Sequence, residues 1–482
     1  MDERTPNAGL DLDAESFREH AHRMVDWIAD YLAGGARRYP VLAPVSPGEV
    51  AGRLPGNPPE DAVPLDTIWR EFEEIVLPGV THWNHPGFMG YFGITGSAPG
   101  ILGELLSAGL NVNGMLWRTC PSATELELHV LGWLRTMLGL PGEFFGFLTD
   151  TASISSMLAI MAAREAAGLA IRERGMAGRG DVPPMTVYAS DQAHSSIAKA
   201  CIAAGLGLEG FRAIPHDSAY RMDVAALERA IAEDRAAGRR PLAVVATVGT
   251  TSTTSVDPVP AIAELCEREG LWLHVDAAYA GSAAICPEFR WCLDGCDRAS
   301  SFVFNPHKWL FTPIDCSALY TRHPEIFRRA FSLVPDYLTT PQTGTVVDLM
   351  DYGVQLGRRF RALKLWWVLR AFGAEGLRER IRAHVAMAQE FARWVETHPA
   401  LELAAPAPFS VVNFRPRPPE DADPAEADRR TMAVLERVNA TGRVFLSHTR
   451  IDCGTVLHLA VGNLRTTPED LEACRAAIEE AL

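Results

Sequence analysis

The 482-residue chain has no uninterrupted apolar run of the roughly 20 residues that a membrane-spanning helix requires. Its start, Met1-Asp-Glu-Arg-Thr-Pro6, lacks the basic and then apolar pattern of a secretion signal, so a cytoplasmic protein is expected. Positive charge is in deficit, with 45 Lys and Arg against 60 Asp and Glu and a formal net charge of −15. That balance argues against nucleic acid or an anionic membrane as partner, since both reward clustered Lys and Arg, and the acidity reads as solubility. The nine cysteines are scattered, and the close pair Cys292 and Cys296 has no second pair to complete a zinc site. Neither disulfides nor a metal are expected. No internal repeat is present.

What the chain does have is apolar material, 48% of its residues, and a length beyond which one core stops growing. Residues 16 to 33 place Phe17, Ala21, Met24, Ile28 and Leu32 at helical spacing, and a Pro-rich stretch from Pro40 to Pro64 follows. From about Pro99 to Phe372, helical segments alternate with short strands such as Met185-Thr-Val-Tyr-Ala189 and Leu242-Ala-Val-Val-Ala-Thr247. That alternation predicts an α/β fold with a large, mostly parallel sheet covered by helices. Ser122 followed by Glu125 has the form of a capping box opening a helix through Leu128, Leu131, Leu134 and Leu138. Beyond Gly373 come a long amphipathic helix, an apolar run at Phe409 to Phe414, strands near Val444 and Val456 and a terminal helix, which together predict a small α+β domain. The expected division is 1–98 as an N-terminal arm and extended segment, 99–372 as the large domain and 373–482 as the small one.

Two residues carry the chemistry. Lys308, in Asn305-Pro-His-Lys-Trp309, closes the strand-like run Ser301-Phe-Val-Phe304 between an imidazole and an indole. Asp276 ends another apolar strand in Leu271-Trp-Leu-His-Val-Asp-Ala-Ala-Tyr-Ala280. Singly, a lysine is usually a solvated surface residue and an aspartate after a strand a turn or cap. Together they are the two groups that pyridoxal phosphate requires, an amine to capture its aldehyde and a carboxylate to meet its ring nitrogen. Such a lysine must be desolvated or near positive charge to act near neutral pH. Ala278, on the same strand face as Asp276, is small enough to let a ring lie flat. Thr151-Ala152-Ser153 opens an apolar helix, and a helix start favours a phosphate; taken alone, Ser153 reads more readily as a cap.

Six words, Gly79-Val-Thr-His-Trp83, Thr124-Glu-Leu-Glu127, Asp191-Gln-Ala-His-Ser-Ser196, His274-Val-Asp-Ala-Ala-Tyr-Ala-Gly281, Asn305-Pro-His-Lys-Trp309 and Leu356-Gly-Arg-Arg-Phe-Arg361, occur in order over most of the chain. In them it resembles the group II pyridoxal-phosphate decarboxylases, and most closely in motifs the aromatic-L-amino-acid decarboxylases. The resemblance implies a fold-type I enzyme with pyridoxal 5'-phosphate as cofactor, assembled as a homodimer in which the N-terminal arm lies across a partner subunit. It implies Lys308, His194, Tyr337 and Asp276 as catalytic residues. It assigns the cofactor to Ala152, Ser153, His194, Thr251, Asp276, Ala278, Asn305, His307 and Lys308. His194 would stack on the cofactor ring and help to position the substrate carboxylate. Tyr337 lies in a Pro-, Thr- and Gly-rich segment, Phe331 to Gly344, that reads as a mobile lid. The resemblance implies that it protonates the α-carbon after carbon dioxide leaves. Asp150 stands where many relatives have a small residue, and an acid beside a phosphate is unfavourable unless it points away.

For the substrate the resemblance indicates Tyr91, Phe92, Asn113, Met115, His194 and Gly357, with the glycine admitting a bulky ring. Asn113 and Met115 replace the aliphatic and aromatic side chains usual in relatives; Met gives an adaptable apolar wall and Asn needs a hydrogen-bond partner. Decarboxylation of an aromatic L-amino acid to its amine is the expectation. Other readings are an acidic or diamino acid substrate, an aldehyde-forming or aminotransferase relative, or a noncatalytic scaffold. The scaffold predicts loss of the lysine, the acid or the lid tyrosine, and all three are present.

Overall fold

The computed structural model describes residues 11–333, 338, 340–342, 344–421 and 423–482. The chain divides into two compact units, one of Met89–Ala433 with Ser447–Leu464, the other of Met1–Phe88 with Val434–Leu446 and Arg465–Leu482.

The larger unit is built on a seven-stranded sheet. Its strands are β1 (Phe145–Thr149), β2 (Met185–Ser190), β3 (Phe211–Ile214), β4 (Arg240–Thr247), β5 (Trp272–Asp276), β6 (Ser301–Phe304) and β7 (Ser317–Thr321), in the order β1-β7-β6-β5-β4-β2-β3. From β6 to β3 every pairing is parallel, and β7 runs against both its neighbours. The expected α/β fold with a mostly parallel sheet is what the chain adopts. Both faces are covered, which is why the strands read as near-continuous apolar runs rather than alternating ones. Their side chains still alternate by face. Tyr188, Val244, Ala246, Leu273, Val275, Phe302 and Phe304 join one core, whereas Val187, Ala189, Ala243, Val245, Trp272 and Val303 join the other. That second core includes Ala152, Leu158, Ala159 and Ile160 of the helix Ala152–Ala166. Asp276 has the parity of Trp272, so it emerges on the face this helix covers, at the C-terminal ends of the parallel strands, where open α/β sheets bind ligands.

The same unit holds a four-stranded antiparallel sheet, order β10-β11-β9-β8, from β8 (Leu401–Leu403), β9 (Val411–Pro416), β10 (Ser447–Ile451) and β11 (Gly454–Ala460). The long helix expected after Gly373 is present and runs to Thr397; Gly373, non-helical at φ 63°, separates it from a helix that starts at Arg361. That left-handed conformation suits a residue with no Cβ.

The helix Pro121–Leu138 corrects the capping expectation: Cys120 holds the N-cap position and no side chain caps it. Proline at the first helical position is pre-set for the helix and has no N–H to satisfy, so the helix starts one residue before Ser122. Glu125 instead accepts a hydrogen bond from the Trp117 indole at 2.8 Å.

In the other unit the expected N-terminal helix spans Ala14–Leu32, capped by the Asp13 carboxylate, and none of its residues is buried. Within that unit Arg37 pairs with Asp470, and the Val41 N–H donates to the Gly442 carbonyl at 3.0 Å. No helix among the described residues is long and apolar enough to cross a membrane.

Candidate functional site

The parallel register assembles the site. Thr247 at the end of β4 lies beside Asp276 at the end of β5, and Asp276 lies beside Val303 of β6. Two residues on from Val303, the Asn305 N–H donates to the Ala278 carbonyl at 3.1 Å, which carries the pairing past the strand ends. Asn305 leads into a single helical turn, Pro306–Trp309, which places Lys308 above the same strand ends. Thr247, Asp276, Asn305 and Lys308 line a cavity of about 210 Å³ together with Phe92, Thr151, Ala152, Ser153, His194, Ser196, Gly249, Thr251, Ala278, Tyr279 and His307. Every cofactor residue named from the sequence is therefore brought to one cavity.

The lysine is half-buried beside aromatic rings. Its Nζ lies 5.1 Å from the centre of the Phe92 ring, which stacks on Tyr279 at 3.9 Å. Tyr279 stacks in turn on Trp309 at 4.7 Å, and the Trp309 indole donates to His384 Nδ1 at 3.0 Å. Burial pushes the Lys308 amine below the ordinary lysine value, with the Asp276 carboxylate opposing that shift. A lowered value enlarges the neutral, nucleophilic fraction near neutral pH. Asp276 is itself buried, and its Oδ1 accepts a hydrogen bond from the Ala278 N–H at 3.0 Å.

Two histidines have their protons assigned by their neighbours. The Cys316 N–H donates to His307 Nδ1 at 2.9 Å, so the neutral ring keeps its proton on Nε2. Burial, reinforced by the charge of Lys308, lowers His307 to about 3. The Ser196 N–H donates to His194 Nδ1 at 3.2 Å, with the Ser196 hydroxyl 2.9 Å from the same atom, which again leaves Nε2 protonated. Burial and then the Lys308 charge hold His194 below its ordinary value.

The helix Ala152–Ala166 starts at the cavity with Thr151 as N-cap and no side-chain cap, which removes the reading of Ser153 as a capping residue. Its first N–H groups make an anion site. Asp150 does not line the cavity: its Oδ1 accepts from the Thr151 N–H at 2.8 Å and its Oδ2 from Gln355 at 3.4 Å. The acid is thus turned aside. Gly249, at φ 87°, is required because a Cβ there would stand 2.6 Å from that of Ala280.

Two cavity atoms lack partners. Thr247 Oγ1 and Asn305 Oδ1 are buried without a hydrogen bond, a condition that costs about 1–3 kcal/mol per group. They suit a polar ligand. A helix start for a phosphate, a neutral lysine for an aldehyde, a buried carboxylate for a ring nitrogen and two orphaned oxygens or hydroxyls fit pyridoxal phosphate.

The substrate residues divide. His194 and Phe92 line the cavity, whereas Tyr91, exposed, does not. Asn113, Met115 and Gly357 form a separate cluster: Asn113 Nδ2 lies 3.6 Å from Met115 Sδ and 3.7 Å from where a Gly357 Cβ would be, while its Oδ1 accepts from the Arg358 N–H at 2.9 Å. Tyr337 lies outside the described residues. Thr247, Ser196 and Tyr279 were missed by sequence reasoning. Thr247 had a signal, since parallel pairing of two strands that both end at the cavity sets it beside Asp276.

The model of the pyridoxal-dependent decarboxylase conserved domain matches residues 47–417. The chain is 39% identical over 479 residues to a phenylacetaldehyde synthase of Arabidopsis thaliana, covering 97% of this chain and 96% of that one. It is 40% identical over 471 residues to tyrosine decarboxylase 2 of Narcissus pseudonarcissus, covering 96% and 93%. The crystal structure of Oryza sativa TDC with PLP and tryptamine superposes with a TM-score of 0.93 at 39% identity, covering 98% of both chains.

Proposed function

The chain belongs to the pyridoxal-dependent decarboxylase family and is a pyridoxal phosphate-dependent amino-acid carboxy-lyase, and on that premise we propose that it converts an aromatic L-amino acid to the corresponding amine and carbon dioxide. The observation that carries this reading is the single cavity in which Lys308, Asp276, His194 and His307 meet the open start of the helix Ala152–Ala166.

When bound, the cofactor supplies an aldehyde and a ring that accepts the electron pair left by departing carbon dioxide. The chain's own groups do the rest. Lys308 offers a neutral amine because burial disfavours its charge. Asp276 holds a proton at the ring nitrogen, its geometry fixed by the Ala278 N–H. Ala152 and Ser153, with Thr251 nearby, would hold the phosphate, and His307 lines the same cavity. Thr247 and Asn305 gain the partners they lack. His194, which lines the cavity with its Nε2 proton free to donate, would lie against the ring and help to position the substrate carboxylate. The Tyr337 hydroxyl gives its proton to the α-carbon. Retention of both Tyr337 and His194 favours the amine as product.

The apolar Phe92 and Tyr279 rings favour an aromatic substrate, and among the described residues no arginine lines the cavity to receive an acidic one. The similarity to a phenylacetaldehyde synthase supports a second reading, in which the same site yields an aldehyde.

We also propose a homodimer. Leu102, Leu105, Leu106 and Leu110 stand exposed along the helix Ala98–Leu110, and Phe17, Met24 and Val25 along Ala14–Leu32. Apolar stripes of this kind ask for cover. Asn113 lies three residues beyond the helix Ala98–Leu110, so the second copy that covers that helix would bring Asn113, Met115 and Gly357 to a substrate pocket.

Purified protein with pyridoxal phosphate should be offered a panel of aromatic, acidic and basic L-amino acids while carbon dioxide, amine and aldehyde are followed together. Amine and carbon dioxide in equal amounts from an aromatic acid are expected. Aldehyde selects the second reading, and turnover of an acidic substrate overturns the pocket assignment.

A further inference from the structure

The loop that carries His194 is tied down from outside the cavity by a histidine that the reaction does not use. His216, just after β3, has its Nδ1 2.7 Å from Asp191 Oδ1 and its Nε2 3.1 and 3.2 Å from the two carboxylate oxygens of Asp452. Asp191 opens the segment leading to His194, and Asp452 sits in the turn between β10 and β11. An ionised carboxylate only accepts, so a ring that bonds one through each nitrogen carries both protons and is an imidazolium. Its side chain is 13% exposed, and Tyr220 stacks on it at 5.1 Å.

The same hairpin holds the other cofactor loop. Ser252, beside Thr251, has its Oγ 2.7 Å from Thr449 Oγ1 of β10, and its carbonyl accepts from Asn413 Nδ2 of β9 at 2.8 Å. The Thr251 loop is thus tied to the four-stranded sheet by neutral hydrogen bonds, whereas the His194 loop, which is also held by the Asp191 N–H on the Ile214 carbonyl at 2.9 Å, is tied to it by a charge.

We propose that His216 is a positioning residue, an imidazolium clamped between Asp191 and Asp452 that fixes the His194 loop against the β10–β11 hairpin and slackens it on losing its proton. The consequence for turnover rests on the reading that His194 meets the cofactor and substrate.

The surroundings support the charged form. Burial opposes it, but the hydrogen bonds and charges of Asp191 and Asp452 outweigh burial and raise His216 above its ordinary value. Gln192 Nε2 also donates to Asp191 Oδ1 at 3.2 Å. Asp217 is engaged by Arg221 at 2.7 Å, Cys453 adjoins Asp452, and Asp257 bonds the Met222 and Thr247 N–H groups, each at 2.7 Å. Because the pKa is raised, the clamp is complete below the ordinary histidine value and is lost as the pH rises through the raised one.

Hydrogen–deuterium exchange of the cofactor-loaded protein across that pH range, corrected for the intrinsic rate, tests this through the amides of residues 191–199. In the parent, protection should fall by about fivefold as the ring deprotonates, the factor that an exposed ion pair near the top of its usual range supplies. His216→Gln and Asp452→Ala should exchange fast at every pH. Asp452→Asn, which keeps an acceptor without the charge, should move the transition to lower pH. The helix Val224–Ala236 should be unchanged in all. Equal protection of 191–199 in the parent and all three variants overturns the clamp. A loosened loop with unaltered turnover supports the clamp and overturns instead the role given to His194.

Discussion

Replacing Asp276 with Asn tests the chemistry at one atom. The Ala278 N–H donates to Asp276 Oδ1 at 3.0 Å, so in the variant that N–H retains the amide oxygen and turns the amide NH2 toward the cavity. A donor then stands where an acceptor stood. It stabilises an unprotonated ring nitrogen and so removes the charge that draws electrons from the α-carbon. The interaction lost is a buried, charge-assisted hydrogen bond of about 3 kcal/mol, which corresponds to about a hundredfold in kcat. The phosphate site and the Lys308 side chain stay in place, so the protein should still load with cofactor. A second consequence has a fixed sign. Asp276 raises the Lys308 pKa against the effect of burial, so removing its charge lowers that pKa further and shifts the onset of loading to lower pH. Carbon dioxide release under saturating substrate, with bound cofactor measured on the same samples, gives both quantities. A fully loaded variant with kcat within about threefold of the parent would refute the assignment.

Thr247→Val keeps the shape of a side chain whose hydroxyl has no partner, so thermal stability without cofactor should hold or rise slightly while cofactor affinity falls by about tenfold; reduced stability with unchanged affinity would count against the cofactor role. Arg358 joins Glu127 and the Leu148 carbonyl, each at 2.7 Å in buried surroundings, and Glu127→Gln should lower unfolding free energy in denaturant titrations by about 3–5 kcal/mol because it strands a buried charge. Burial lowers His274, His384 and His458 each to about 4. As the pH falls below the ordinary histidine value the unfolded chain takes up protons that the folded one refuses, so each should cost about 1.4 kcal/mol of stability per pH unit until its folded value is reached. Denaturant titrations between neutral pH and about pH 5 should show this decline, and a flat profile would contradict it.

The chemistry was legible where residue identity alone states it. A lysine after a strand, an aspartate ending another and a helix start with small residues narrow the cofactor to few possibilities, and Lys308, Asp276, Ala152 and Ser153 do line one cavity. The α/β fold was legible for a related reason, because strands buried on both faces must be mostly apolar, and β2 and β5, buried along their whole length, are so apart from Thr186, Ser190, His274 and Asp276. The capping box was misread because its pattern is local: Ser122 and Glu125 have the right spacing, but Pro121 set the helix start first.

By itself, then, the sequence determined which groups were available and how the segments around them fold, since these depend on side-chain type and local periodicity. Tertiary structure decided what those groups do. Only the parallel register sets Thr247 beside Asp276, two residues far apart in the chain. Only the Cys316 and Ser196 N–H groups put the protons of His307 and His194 on Nε2, because a tautomer is fixed by a neighbour in space. The Asn113, Met115 and Gly357 cluster stands apart from the cavity for the same reason: no spacing in the sequence records which surface a side chain finally faces.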